Sequence, residues 1–330
     1  MSDGVGDPVA ARPGRDVGSL VERLRSGDRR AVARLISLVE DGARDQLREV
    51  AEALNPSTGR AMVLGLTGSP GVGKSTLANA LVAAYRAAGR TVGVLAVDPS
   101  SPFTGGALLG DRVRMQHHAL DKGVYIRSMA TRGHLGGLAW AAPQAVRVLD
   151  AAGCEVVLVE TVGVGQAEVE VAGLADTTMV VLAPGFGDAV QVAKAGILEV
   201  ADVFVVNKAD KDGADTVARD LRQMLHLGEA RPWQVPVVRT AAERRSGVDE
   251  LVERIAAHRA HLEESGELAE RRRRRAAREV EELALADLRE ELGELDRGEA
   301  LDKLAEQVAS GELGPYSAAD QLLARVRGDS

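Results

Sequence analysis

A single cysteine, Cys154, is all the thiol this 330-residue chain carries, which excludes an internal disulfide framework and any cysteine-rich metal site. Beside a strand-like run it reads as a small buried apolar residue. No apolar run approaches the roughly 18 to 20 residues that span a bilayer, and the opening MSDGVGDPVAARPGRD lacks the apolar core of a secretory signal. The expectation is a cytoplasmic protein with no membrane association and a short flexible leader over residues 1–16. Excess positive charge is missing too. A net charge of -8 argues against nucleic acid as a partner, because polyanion binding relies on basic surface. Lysine is scarce, 6 residues among 41 basic ones, so a lysine retained against that arginine background points to a need for a compact point charge. Lys74, Lys194 and Lys208 all fall inside the motifs below.

What is present is a globular composition, 45% hydrophobic and 27% charged, at a length that suits one sizeable core with smaller flanking elements. Residues 17–60 form a helical region, with apolar helical periodicity over 17–55, Asp28 as an N-cap and Asn55-Pro56 as a stop. From 61 to 260 short apolar runs (AMVLGLT, TVGVLAVD, CEVVLVET, TTMVVLA, DVFVVNK, QVPVVRT) alternate with helical stretches. That alternation predicts an α/β fold with a mainly parallel central sheet flanked by helices, its strands buried on both faces. Residues 261–330 read as a helical appendage. The arginine run Arg271–Arg275 is followed by acidic residues at helical spacing and is expected to be a solvated helix face.

Directly after AMVLGLT comes GSPGVGKST, Gly68, Ser69, Pro70, Gly71, Val72, Gly73, Lys74, Ser75 and Thr76, which fits G-x-x-x-x-G-K-[ST]. Glycines at this spacing let backbone N–H groups wrap an anion at a helix N-terminus; the lysine reaches β- and γ-phosphates, and the serine hydroxyl serves Mg²⁺. This makes the fold a P-loop NTPase. A second signal, NKAD, closes the run DVFVVNK. Asp210 there would accept from the N1–H and exocyclic amine of guanine, whereas adenine would present it with an acceptor. Asn207 and Lys208 would support the ring and tie the loop to the phosphate loop. The following run ends in Thr240, Ala241 and Ala242, where a backbone N–H could face the guanine oxygen.

Asp98 and Glu160 end strand-like runs on the edge where ligands bind in parallel sheets, and Asp111 lies in ALLGDRVRM. With Ser75 these are the candidate Mg²⁺ ligands, directly or through water. Asp98 before Pro99 and Asp111 before RVRM would serve equally as helix caps. Glu160-Thr161-Val162-Gly163 stands where small GTPases place D-x-x-G, with Gly163 offering an N–H to the γ-phosphate. Val164 follows where many of them carry a water-orienting glutamine, so intrinsic hydrolysis is expected to be slow. Gln166 is a nearby substitute or a helix-cap neighbour.

Taken together, VLAVDPSSPFTGGALLGDRVRM, RSMATRGHLGGLA, VVLVETVGVGQ, PGFGDAVQVAKAGILEVADVFVVNKAD and YSAADQLL resemble the MeaB-type (formerly ArgK-type) GTPases, relatives of the metallochaperone G proteins, over roughly residues 20–327. The resemblance implies a GTP- and Mg²⁺-dependent hydrolase that forms a homodimer through its C-terminal helices. It also implies a partner, an adenosylcobalamin-dependent acyl-CoA mutase, usually methylmalonyl-CoA mutase, whose cofactor loading and protection GTP use would gate. Carried over by residue, Asp98, Asp111 and Glu160 are the metal-side acids, and Lys194 lies in a mobile switch that reaches the nucleotide when the mutase binds. RTAA departs from the family pattern, which more often has a hydroxyl before the final alanine. Two rival readings share the phosphate loop. A nickel-insertion GTPase needs His or Cys ligands, and only His117-His118 form a pair; a small-molecule kinase would favour adenine, against which Asp210 argues.

Overall fold

The computed structural model describes residues 16–99, 118, 120–131, 137–161, 173–185, 197–228, 231–296 and 300–327. The chain divides into two compact units, Met1–Arg272 and Arg273–Ser330. Among the described residues three helices, α1 (Val17–Arg25), α2 (Arg29–Asp41) and α3 (Arg44–Leu54), precede the first strand. Asp16 and Asp28 cap α1 and α2 with their carboxylates, and Asn55–Ser57 ends the region in a 3-10 turn. Then β1 (Met62–Thr67), α4 (Lys74–Ala87), β2 (Val92–Pro99), β3 (Val124–Thr131), α5 (Gly137–Ala151), β4 (Val156–Thr161) and β5 (Thr177–Leu182) follow. The unit continues through α6 (Ile197–Val200), β6 (Val203–Val206), α7 (Ala214–Leu227), β7 (Val237–Arg239) and α8 (Val248–Glu264).

Among the described residues the strands form one seven-stranded sheet in the order β3-β2-β4-β1-β5-β6-β7, parallel at every pairing. Continuous valine and leucine runs suit it, since helices cover both faces. One face packs against α4 and α8 through Leu77, Leu81, Leu251 and Ile255. The other face packs against α1–α3 and α5 near β2 and β4, and against α7 near β6. The N-terminal helices therefore share the main core: Leu20, Leu24, Leu35 and Leu54 are buried with Leu95, Val157 and Val159. Six of the strands match the apolar runs of the sequence. The seventh, β3, does not announce itself, because it is an edge strand with Arg127 at its middle. That guanidinium is held by Ser37 and Glu40 of α2.

A polar network closes the sheet at its strand starts. Asp176 precedes β5 and accepts from Val63 N at 3.1 Å; Asp202 precedes β6 and accepts from Thr178 N at 2.8 Å. Each carboxylate thus straps two neighbouring strands. Their counter-ions come from the first turns of α9 (Glu267–Asp296), which corrects the expectation of a solvated face for Arg271 and Arg272: Arg271 grips Asp202 through two nitrogens at 2.9 Å, and Arg272 meets Asp176 at 2.8 Å. His258, fully buried, contacts Thr177 Oγ1 at 2.9 Å and Asp202 at 3.3 Å, with the Trp233 ring against it. Burial alone would raise the Asp202 carboxyl, but the bonds from His258 and Arg271 outweigh it, so the group titrates below its ordinary value. Cys154 is buried as expected, and burial pushes its thiol up to about 12.

In the second unit, α9 continues to Asp296, followed by α10 (Ala300–Ala309) and α11 (Pro315–Arg327). Val280, Leu285, Leu288, Leu301, Tyr316 and Leu323 are exposed there. Among the described residues no helix is long and apolar enough to cross a membrane.

Candidate nucleotide site

The strand ends carry a different assembly. β1 lies between β4 and β5, so the loop after it emerges where the strand order reverses, the usual ligand crevice of such sheets. Two glycines are sterically required in that loop. Gly68 has φ +139° and a Cβ there would lie 2.2 Å from Val181 O; Gly73 has φ +94° and its Cβ would meet Asn207 Nδ2 at 2.5 Å. Gly73 is the N-cap of α4 and supplies no side-chain cap, so the first-turn N–H groups are left for an anion. Lys74, buried, turns back over the loop and donates to the carbonyls of Gly68 and, at 3.2 Å, Ser69.

Ser75 follows and donates to Glu160 Oε1 at 2.6 Å, with both residues buried. The strand register explains the meeting, because Glu160 sits beside Leu66 of β1 and Ala96 of β2, one layer under the phosphate loop. A hydroxyl and a carboxylate are hard oxygen donors, which suit Mg²⁺ better than a softer metal. Asp98 lies on β2 two residues past Ala96, on the same sheet edge. Asp111, Gly163, Val164, Gln166 and Lys194 lie outside the described residues.

The base side is organised by Asn207. Its Nδ2 donates to Val72 O at 2.9 Å, while its Oδ1 accepts from Thr240 Oγ1 at 3.1 Å and Ala242 N at 3.2 Å. One buried amide thereby joins the phosphate loop, the end of β6 and the loop after β7. Lys208 adopts φ +55° and reaches Gly71 O at 2.7 Å, a second tie to the phosphate loop. Ala209 N donates to Thr240 O at 2.9 Å. Asp210 stands beyond these, partly exposed, with Arg244 Nη2 at 3.5 Å. The structure thus brings Gly68–Thr76, Glu160, Asn207, Lys208, Asp210 and Thr240–Ala242 to one edge of the sheet. The N–H groups of Ala241 and Ala242 have partners within the protein. Ala241 N donates to Ser246 O at 3.0 Å, and Ala242 N is taken by Asn207, so both N–H groups already have acceptors. Arg244 is the residue that sequence reasoning missed; an arginine two positions after RTAA carries no motif.

The family described as "Methylmalonyl Co-A mutase-associated GTPase MeaB" matches residues 32–295. A protein of Pyrococcus abyssi that carries a provisional GTPase name is 49% identical over 317 residues, covering 94% of this chain and 97% of that one. The mouse "Methylmalonic aciduria type A homolog, mitochondrial" is 33% identical over 329 residues, covering 94% and 79%. Among solved structures, "LAO/AO transport system kinase" superposes with a TM-score of 0.70 at 26% identity, covering 96% of this chain and all of that one.

Proposed function

The chain belongs to the MeaB family of GTPases, and from that premise we propose that it couples GTP turnover to the loading and protection of an adenosylcobalamin-dependent acyl-CoA mutase, methylmalonyl-CoA mutase first among them. The observation that carries the nucleotide half is the Asn207 amide, which fixes phosphate loop and base loop in one rigid frame. Support for the partner comes from the description of the family and from the name of the mouse relative.

In this reading the N–H groups of the phosphate loop and of the α4 start cradle the phosphates. Lys74 exchanges its loop carbonyls for phosphate oxygens, and Asp210 accepts from guanine N1–H and the exocyclic amine. Mg²⁺ would be held by Ser75 and Glu160, with Asp98 and Asp111 as further acids, and would supply positive charge beside the phosphates. Gly163 would offer its N–H to the γ-phosphate. Val164 cannot orient water, so free turnover is slow and the missing charge arrives on Lys194 when the mutase docks. The exposed apolar residues of α9–α11 fit a homodimer formed through that unit. The test is single-turnover GTP hydrolysis with and without the mutase. Stimulation of about a thousandfold or more that Lys194→Ala removes is expected, in the range of a charge supplied in trans; a mutase that neither binds in the GTP state nor alters turnover would end the reading.

A further inference from the structure

The N–H groups of Ala241 and Ala242 are engaged by Ser246 O and Asn207 Oδ1, so a side-chain donor is the alternative source of a hydrogen bond to the oxygen of a bound guanine. The loop supplies one. After Ala241 the chain makes a short 3-10 turn, Ala242–Arg244, closed by Arg244 N donating to Ala241 O at 2.9 Å and by mutual bonds between Ala241 and Ser246. This fixed turn delivers the Arg244 guanidinium to 3.5 Å from Asp210 Oδ2. At that distance the pair is an ion contact rather than a hydrogen bond, and the arginine side chain is 73% exposed against 23% for the aspartate. Among the described residues it is the side chain's one polar contact.

We propose that Arg244 is a specificity-determining residue that reads O6 of guanine while remaining beside Asp210, an inference that rests on the guanine-site reading above. Guanine sets its acceptor O6 next to the N1–H that a carboxylate accepts. Arg244 comes from the same turn as Ala241 and Ala242, the segment expected to face that oxygen, so a cation standing alongside the carboxylate from this turn is placed on the O6 side. The guanidinium suits the task because its planar fork presents donors in two directions at once, one to the carboxylate and one to the base. Adenine carries an amine at the position of O6, so the same group that favours guanine would set donor against donor and reject adenine. The exposed arginine thus does by charge what backbone N–H groups are otherwise called on to do.

The experiment is equilibrium binding of GDP and 6-thio-GDP, which keeps N1–H and the exocyclic amine but has a weak acceptor at position 6. The full chain is compared as wild type, Arg244→Ala and Arg244→Lys. Wild type should prefer GDP by about tenfold, the scale of one hydrogen bond to a charged group. Arg244→Ala should lose about that much GDP affinity and the preference with it, and Arg244→Lys should recover part of both. An alanine variant that keeps the wild-type preference would hand the role back to the backbone. One that binds GDP more tightly would make Arg244 a plug on Asp210 instead. Either result overturns the proposal and leaves the guanine site standing, whereas wild type that binds GDP and XDP alike would bring both down. Because the side chain is exposed, the substitution leaves the fold intact, which an unchanged melting temperature confirms.

Discussion

The two ends of one sheet bury polar groups in opposite ways. At the strand starts, Asp176 and Asp202 are met by Arg272 and Arg271 of the same chain, with His258 and strand N–H groups completing the shell. At the strand ends, Lys74, Ser75 and Asn207 gather around a loop whose backbone is bent by glycines toward an uncapped helix start. The first end answers its own charges with side chains and needs nothing from outside. The second leaves the start of α4 without a side-chain cap, with a buried lysine folded over the loop beside it, which is an offer to a polyanion. Buried charge alone therefore does not mark a binding site; what distinguishes the two is whether side chains or backbone donors face it, and whether they are held by the fold or by a loop.

That contrast can be broken most severely at the strand starts. Asp202→Ala removes the acceptor of Arg271, His258 and Thr178 N together. It should destabilise the protein by about 3–5 kcal/mol, the cost of leaving one member of a buried pair behind. Denaturant unfolding would measure the loss, and GTP affinity of the folded fraction should be unchanged. At the other end the expectation inverts: Lys74→Ala should weaken GTP binding by roughly a hundredfold, about 2.7 kcal/mol, with the melting temperature nearly preserved. A variant that lost stability rather than affinity would erase the distinction. Asp210→Asn should cost about tenfold or more in GTP affinity and improve xanthine nucleotide binding, because an amide mismatches the guanine donors; titration with GDP and XDP would show unaltered selectivity if the assignment is wrong.

The contrast also has a pH signature. The Asp202 carboxyl titrates below its ordinary value in the folded protein, so as pH falls the unfolded chain takes up the proton first. Its stabilisation is complete above the ordinary aspartate range, near about pH 4, and is lost as pH falls through the folded value. The stability difference between wild type and Asp202→Asn should therefore be largest at neutral pH and shrink on acidification. A difference independent of pH would mean that the carboxylate charge is not what holds α9. The smallest effect belongs to the exposed pair Arg239 and Asp215, whose loss in Arg239→Ala should be under about 1 kcal/mol in the same unfolding experiment.

Much of the strand-end assembly was legible in the sequence because its residues come in contiguous segments of fixed spacing. GSPGVGKST and NKAD each carry their chemistry within a few positions, and the apolar runs before them place both at strand ends. The strand-start network was illegible for the opposite reason. Arg271 meets Asp202 across 69 residues, and Arg272 meets Asp176 across 96, so in sequence the arginines show only their acidic helix neighbours. Edge strand β3 escaped notice because an arginine interrupts its apolar pattern, and the ion pair that tolerates it comes from α2. Arg244 escaped because its partner Asp210 sits on the preceding strand's loop rather than at helical or strand spacing.

The amide of Asn207 also sets a clock. Its acceptor in the phosphate loop, Val72 O, follows the first strand, but its donors, Thr240 and Ala242, follow the last strand of the sheet. During synthesis from the N-terminus the phosphate loop leaves the ribosome long before the residues that hold it in register. A nascent chain halted before residue 240 therefore carries a complete phosphate motif without the contacts that hold it against the base loop.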